Sequence, residues 1–242
     1  RRDYAVQAAT MLLIVLGSVG FPVLAELWRY ATAGKERHAF RFSLFTKLTL
    51  ATYAALLAAG ALGLWWLERD GLLAGRPWHE QLFLSLFNSV TARSAGLTTV
   101  DLALYGTDSQ LLMALLMFVG ASPSSAGGGI RTTTVAVLAL TLVSVARMRK
   151  DVTVFGRTVK HEDVLKSFFV FALGVFLCTA GVLFICAAED NRFPLETVLF
   201  EVASAFGTCG ASLGVTPALS GAAQGCLMAL MFVGRIGLVT FL

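Results

Sequence analysis

Two copies of one pattern lie 114 residues apart, and each copy is a glycine loop followed by an apolar helix. Gly96, in Thr91-Ala92-Arg93-Ser94-Ala95-Gly96-Leu97, and Gly210, in Ala205-Phe206-Gly207-Thr208-Cys209-Gly210-Ala211, are separated by that interval (210 − 96 = 114). Met117-Phe118-Val119-Gly120 and Met231-Phe232-Val233-Gly234 repeat at the same spacing (234 − 120 = 114). Each loop sits between long apolar segments. In a membrane protein this arrangement describes a re-entrant pore loop, and its repetition describes a pathway built by internal symmetry.

The membrane setting follows from composition. Hydrophobic residues make up 57% of the chain and charged residues 14%, too few charges to cover a soluble domain of this size. A span needs about 20 apolar residues. Residues 4–28, 43–67 (ending in the interfacial pair Trp65-Trp66), 164–187 and 223–242 read as spans. Residues 80–90 and 195–206 are apolar but too short to cross, and each leads into a glycine loop. Residues 109–146 are apolar but interrupted by Ala121-Ser122-Pro123-Ser124-Ser125-Ala126-Gly127-Gly128-Gly129. The chain stops inside an apolar stretch at Phe241-Leu242, so it reads as a piece of a longer protein. Cys178, Cys186, Cys209 and Cys226 show no C-x-x-C spacing and read as buried structural thiols rather than zinc or redox pairs.

Charge sets the expected topology. Arg29, Lys35, Arg37, Arg41 and Lys47 cluster after the first span, and Arg147, Arg149, Lys150, Arg157, Lys160 and Lys166 after residue 146. The positive-inside rule places both connections in the cytoplasm. The opposite ends carry only Arg69, Arg76 and Arg192 beside Glu68, Asp70, Glu80, Asp101, Asp108, Glu189, Asp190, Glu196 and Glu201. Both short helices then begin and end on the outer side, as re-entrant loops must. Carboxylates there would draw cations toward a pore mouth, or serve as ordinary solvated loop charge.

A dehydrated monovalent cation needs several oxygen ligands, and backbone carbonyls supply them without trapping the ion by net charge. Small residues and glycine let such a strand approach the axis. Ser94-Ala95-Gly96 and Thr208-Cys209-Gly210 meet that demand, with the partly negative end of a short helix aimed inward behind each. Arg93, Arg131 and Arg235 stand near membrane depth and each requires a cavity or partner. Arg93 is expected to brace the first loop, with Glu201 a conceivable partner. Arg235 is expected to salt-bridge or to stand beside the pathway as a barrier to cations. Pro123 and the triple glycine break the helix of residues 109–146, and a polar segment in mid-membrane below a filter reads as a gate.

At these residues the chain resembles the KtrB/TrkH/HKT superfamily of potassium transporters and is most similar to KtrB, the membrane subunit of bacterial Ktr systems. The segments that carry the resemblance run from Ser89 to Thr99, Gly120 to Thr134, Ser204 to Gly210, and Gly234-Arg235-Ile236-Gly237. It implies an all-α integral membrane fold with four M1–P–M2 units (helix, re-entrant pore helix with filter loop, helix) around one pore. Residues 1–30 would be the last helix of repeat two, 41–150 the third repeat with its second helix broken, and 160–242 a truncated fourth repeat. Arg93, Ser94, Ala95, Gly96 and Leu97, with Gly207, Thr208, Cys209, Gly210 and Ala211, would hold K⁺ at filter carbonyls. Residues 121–129, extending to Arg131, would form the intramembrane gating loop and Arg235 the pore arginine. The resemblance also implies a multi-pass protein of the bacterial plasma membrane, surrounded by lipid, forming a homodimer on a cytosolic KtrA/TrkA-like nucleotide-binding ring. No organic cofactor and no nucleic-acid partner are expected. Leu97 stands where the family often has Phe, Arg131 where Lys is common, and Ser124-Ser125-Ala126 departs from the usual loop. The first repeat's filter, which bears on ion choice, lies outside this sequence, so Na⁺ is the alternative ion. A small-solute secondary transporter would use broken helices too, but would not require Gly96 or Gly210. An enzyme is not indicated: His38, His79 and His161 flank the spans.

Overall fold

A computed structural model describes residues 4–33, 40–148, 152–154 and 157–237. Lys35, Arg37, His38, Arg149, Lys150 and the Phe241-Leu242 end lie outside the described residues. The elements run α1 (Tyr4–Val19), α2 (Phe21–Thr32), α3 (Leu44–Glu68), α4 (Trp78–Thr91), α5 (Thr107–Phe118), α6 (Thr132–Ala146), a two-residue antiparallel pair β1 (Thr153–Val154) and β2 (Arg157–Thr158), α7 (His161–Ala188), α8 (Leu195–Phe206) and α9 (Gly221–Ile236). The class is all-α. Among the described residues α3 and α7 are each long and apolar enough to cross a membrane. The phenylalanines and leucines of α7 that stay exposed, such as Phe169, Phe176 and Leu183, are what a hydrocarbon-facing surface presents.

The expected single span over residues 4–28 is instead two helices bent by 106°. Gly20 sits at φ 91°, ψ 144°, a conformation open to glycine, and Pro22 removes a helix-continuing donor just beyond it. A Cβ on Gly20 would lie 2.5 Å from the carbonyl oxygen of Pro123. The bend is therefore fixed both by backbone and by a neighbouring loop. The same geometry recurs after α9, where Gly237 adopts φ 90°, ψ 136°. Gly17-x-x-Gly20 and Gly234-x-x-Gly237 thus end their helices alike.

The repeat is deeper than its glycines. A short 3₁₀ turn follows each filter loop, at Leu102–Leu104 and Thr216–Ala218, and the next helices start at Thr107 and Gly221. Both intervals keep the 114-residue spacing (216 − 102, 221 − 107). The preceding starts, Leu44 and His161, and Trp78 and Leu195, are 117 apart (161 − 44, 195 − 78). The register changes inside the short helices, of which α4 has 14 residues and α8 has 12. Each short helix begins after a proline, Pro77 or Pro194, and carries a glutamate in its first turn, Glu80 or Glu196. Proline presets the entry angle, and the acid complements the positive end of the helix. The far ends of α4 and α8 are the most enclosed parts of the chain: Ser85 and Phe87 to Thr91 are buried, as are Phe200 to Phe206. Met117, Phe200 and Phe206 are fully buried where α5 meets α8.

Candidate ion-conduction site

In the first loop the amides of Ser94, Ala95 and Gly96 all converge on the carbonyl oxygen of Thr91, at 3.4, 3.0 and 3.1 Å. A trans peptide points its C=O opposite to its N–H. The carbonyls of Arg93, Ser94 and Ala95, each belonging to one of those peptide units, therefore turn away from Thr91. In the second loop Gly207, Thr208 and Cys209 donate back to the Ala203, Ala205 and Ser204 carbonyls, respectively, at 2.8–3.0 Å, which by the same rule turns the carbonyls of Phe206, Gly207 and Thr208 the other way. The carbonyl of Ala211 is engaged inside the protein, where it accepts the Ser204 hydroxyl.

The two loops touch. A Cβ on Gly96, whose φ is 59°, would fall 2.5 Å from the Cys209 carbonyl oxygen and 2.6 Å from the Ala211 nitrogen. Cys209 Sγ lies 3.3 Å from the Thr91 oxygen and 3.4 Å from the Ala92 oxygen, so the thiol bridges the loops. Gly207 is glycine for space: a Cβ would sit 2.3 Å from the Met117 carbonyl oxygen. Gly210 is glycine for conformation, with φ 88° and open space around it. Leu97 is half exposed.

The interrupting segment lies directly against both loops. A Cβ on Gly127 would come within 3.0 Å of Ser94 Cβ, and one on Gly128 within 2.6 Å of Thr208 Oγ1. Three helix breaks hold this segment. Ser122 and Ala126 donate to the Ser18 and Gly17 carbonyls at 3.1 Å each, and Phe21 N donates to the Ser124 oxygen at 3.2 Å. Gly129 N donates to the Gly234 oxygen, and Ile130 N to the Phe118 oxygen, both at 3.2 Å. Irregular backbone at membrane depth is tolerable because these partners satisfy it.

The three arginines gather here. Arg131 Nη1 donates to the Gly127 oxygen at 2.7 Å, and Arg235 Nη1 donates to the Ala126 oxygen. Arg93 is fully buried; its Nη2 donates to the Gly120 oxygen at 2.8 Å, and its guanidinium lies 5.0 Å from the Tyr53 ring. Arg93 does not pair with Glu201. That carboxylate is already committed to Ser212 Oγ (2.7 Å), Leu213 N (2.9 Å) and Thr216 Oγ1 (2.8 Å) in the connection after the second loop. The partial negative charge at the carbonyl end of α5 and the face of Tyr53 take its place. Among the described residues the ion pairs are Arg69–Asp70 and Arg76–Glu80, so Arg235 has no described salt bridge. A groove of about 500 Å³ runs past Ser204, Thr208 and Gly210 to Arg235. Tyr53, Ser18 and Gly17 escaped the sequence reading. Gly17-x-x-Gly20 carried a legible signal, as an echo of Gly234-x-x-Gly237, whereas nothing marked Tyr53 among its apolar neighbours.

Two helix–loop–helix hairpins whose glycine loops touch, with an interrupted helix packed against both loops, repeat one membrane-type unit within the chain. The whole chain, residues 1–242, matches the TrkH family, described as cation transport protein, and the chain belongs to that family. It is 45% identical over 242 residues to the Ktr system potassium uptake protein D of Bacillus subtilis, covering all of this chain and 53% of that protein. It is 32% identical over 241 residues to the Ktr system potassium uptake protein B of the same organism, covering 99% of this chain and 52% of that one. The fold is shared with the crystal structure of the potassium transporter TrkH from Vibrio parahaemolyticus, with a TM-score of 0.77 and 18% identity over all of this chain and 52% of the other. The chain thus spans about half the length of the relatives it matches.

Proposed function

We propose that this chain forms the third and fourth walls of a four-walled, K⁺-conducting pore. The carbonyls of residues 93–95, 207, 208 and 210 are its share of the filter, and residues 121–129 are the gate. The observation that carries this reading is the placement of the 121–129 segment directly against Ser94 and Thr208, hydrogen-bonded to the breaks of α1 and α9. A gate in that position obstructs whatever passes the filter, and its backbone partners are neutral groups that can be exchanged for water. Arg235, bonded to the Ala126 carbonyl, adds a positive charge that opposes cation passage while the segment is closed. Two B. subtilis relatives named as potassium uptake proteins of Ktr systems support K⁺ as the ion and a multi-component assembly. In that assembly the full-length protein is a homodimer in the plasma membrane on a cytosolic, nucleotide-binding ring. Residues 1–30 belong to the end of the second repeat, 41–150 to the third and 160–242 to the fourth.

The test is growth of a K⁺-uptake-deficient bacterium at low K⁺. The full-length protein restores growth and Gly210→Asp abolishes it, while growth that survives this change refutes the filter assignment. Uptake of Na⁺ in preference to K⁺ by the wild type would replace the ion but keep the pore.

A further inference from the structure

We propose that Thr208 is the latch that holds the intramembrane gate closed, an inference that rests on reading residues 121–129 as that gate. Thr208 belongs to the second filter loop, yet its hydroxyl faces the gating segment. Gly128 N–H donates to Thr208 Oγ1 at 2.9 Å, joining residues 80 positions apart. The fit around that bond is tight: a Cβ on Gly128 would meet Thr208 Oγ1 at 2.6 Å, Thr208 Cγ2 at 2.7 Å and the Gly234 carbonyl oxygen at 2.9 Å. The Gly127 carbonyl, which shares a peptide plane with the Gly128 N–H, accepts Arg131 Nη1 on the opposite side at 2.7 Å, so that plane is fixed with the N–H toward Thr208.

Thr208 itself is held in a conformation its type disfavours. Its φ is 51°, and β-branched residues rarely occupy the left-handed region. Glycine or asparagine would fit that backbone more easily, yet the position carries a hydroxyl acceptor aimed at an amide that would otherwise be orphaned in mid-membrane. The equivalent residue of the other loop, Ser94 (208 − 94 = 114), approaches Gly127 through its Cβ. The two filter loops therefore grip consecutive residues of the gate, and the hydrogen bond is on the fourth-repeat side. Thr208 also lines the groove that leads to Arg235, so releasing Gly128 would open the segment toward the space that a passing ion needs.

The experiment uses the full-length protein in proteoliposomes and compares Thr208→Val, which keeps the shape and removes the acceptor, with Thr208→Ser, which keeps the acceptor. The valine variant is expected to raise maximal K⁺ uptake several-fold, and serine to return the rate toward that of the wild type. Amide hydrogen exchange in the 121–130 segment is expected to quicken in the valine variant. If valine does not reach the membrane, Thr208→Ala takes its place. Loss of K⁺/Na⁺ preference in the valine variant without a faster rate would overturn the proposal, because the Thr208 side chain would then shape the ion site rather than hold the gate. Equal losses in both variants, or an unchanged rate and exchange, would overturn it as well. Removal of residues 123–126 in the same assay separates the two ideas. If that removal speeds uptake and valine does not, the latch alone fails; if neither does, the gate reading fails with it.

Discussion

At the scale of single residues, the glycines of this chain divide by what a side chain would strike. A Cβ on Gly234 would lie 1.9 Å from the Phe206 carbonyl oxygen, and one on Gly120 would lie 1.8 Å from that of Gly128. Both obstacles are backbone, which cannot swing aside, so α9 approaches the end of α8, and the turn after α5 approaches the 121–129 segment, only because these positions are bare. Gly225, in the same helix as Gly234, has open space around it. Gly234→Ala is expected to abolish K⁺ uptake by the full-length protein and to lower its melting temperature. Gly225→Ala is expected to leave uptake intact and to gain up to about 1 kcal/mol from helix propensity. Thermal unfolding of the detergent-solubilised protein alongside uptake checks both; equal tolerance at the two sites would contradict the close-approach argument. The matched spacing of Gly96 with Gly210 and Gly120 with Gly234 was readable because a repeat preserves backbone demands. What spacing does not encode is the direction of a side chain. Glu201 looked available to Arg93, but its carboxylate is turned to residues 212–216, and Arg93 is met by Gly120 and Tyr53 instead.

At the scale of elements, buried or bound carboxylates hold the connections that follow the filters. Glu68 accepts Gly106 N at 2.9 Å and Leu72 N at 3.1 Å, and Glu201 plays the corresponding part for residues 212–216. Glu201→Leu removes both acceptor oxygens and leaves Leu213 N and the two hydroxyls without their partner, so it is expected to cost about 1–3 kcal/mol, read as a lowered melting temperature. Glu189, just past α7, fastens that helix to the start of α9 by accepting Ser220 N at 2.6 Å. The Ser220 side chain first, and its backbone amide second, hold the Glu189 carboxyl below its usual range. A depressed carboxylate stabilises the fold above its unfolded pKa, about 4.3 for a glutamate, and that contribution fades as pH falls through the folded value. The wild type is therefore expected to lose its stability margin over Glu189→Gln as the pH is lowered below about 4, whereas a margin that persists in acid would contradict the contact. The long spans α3 and α7, the short helices and the interrupted helix were legible from apolar run length. The 106° bend between α1 and α2 was not, because residues 4–28 read as one predominantly apolar run; Gly20-Phe21-Pro22 was its one local signal.

At the scale of the molecule, the break between α1 and α2, the end of α9, the two glycine loops and the segment between α5 and α6 form a single hydrogen-bonded unit. Its parts come from residues 17–21, 91–97, 118–132, 203–211 and 234–235. In the proposed reading such a unit would couple the glycine loops to the position of the segment packed against them. The central claim is that this segment obstructs the pathway. Ala121 and Gly127 lie side by side, since a Cβ on Gly127 would be 2.5 Å from Ala121 Cβ. Residues 123–126 can therefore be removed and the ends rejoined without pulling the flanking helices together. The most direct measurement is the initial rate of K⁺ uptake into proteoliposomes holding the full-length protein with and without those four residues, at matched protein amount. The rate is predicted to rise several-fold with unchanged preference among K⁺, Na⁺ and Rb⁺; a folded, membrane-inserted protein whose uptake is unchanged or slower would contradict the account.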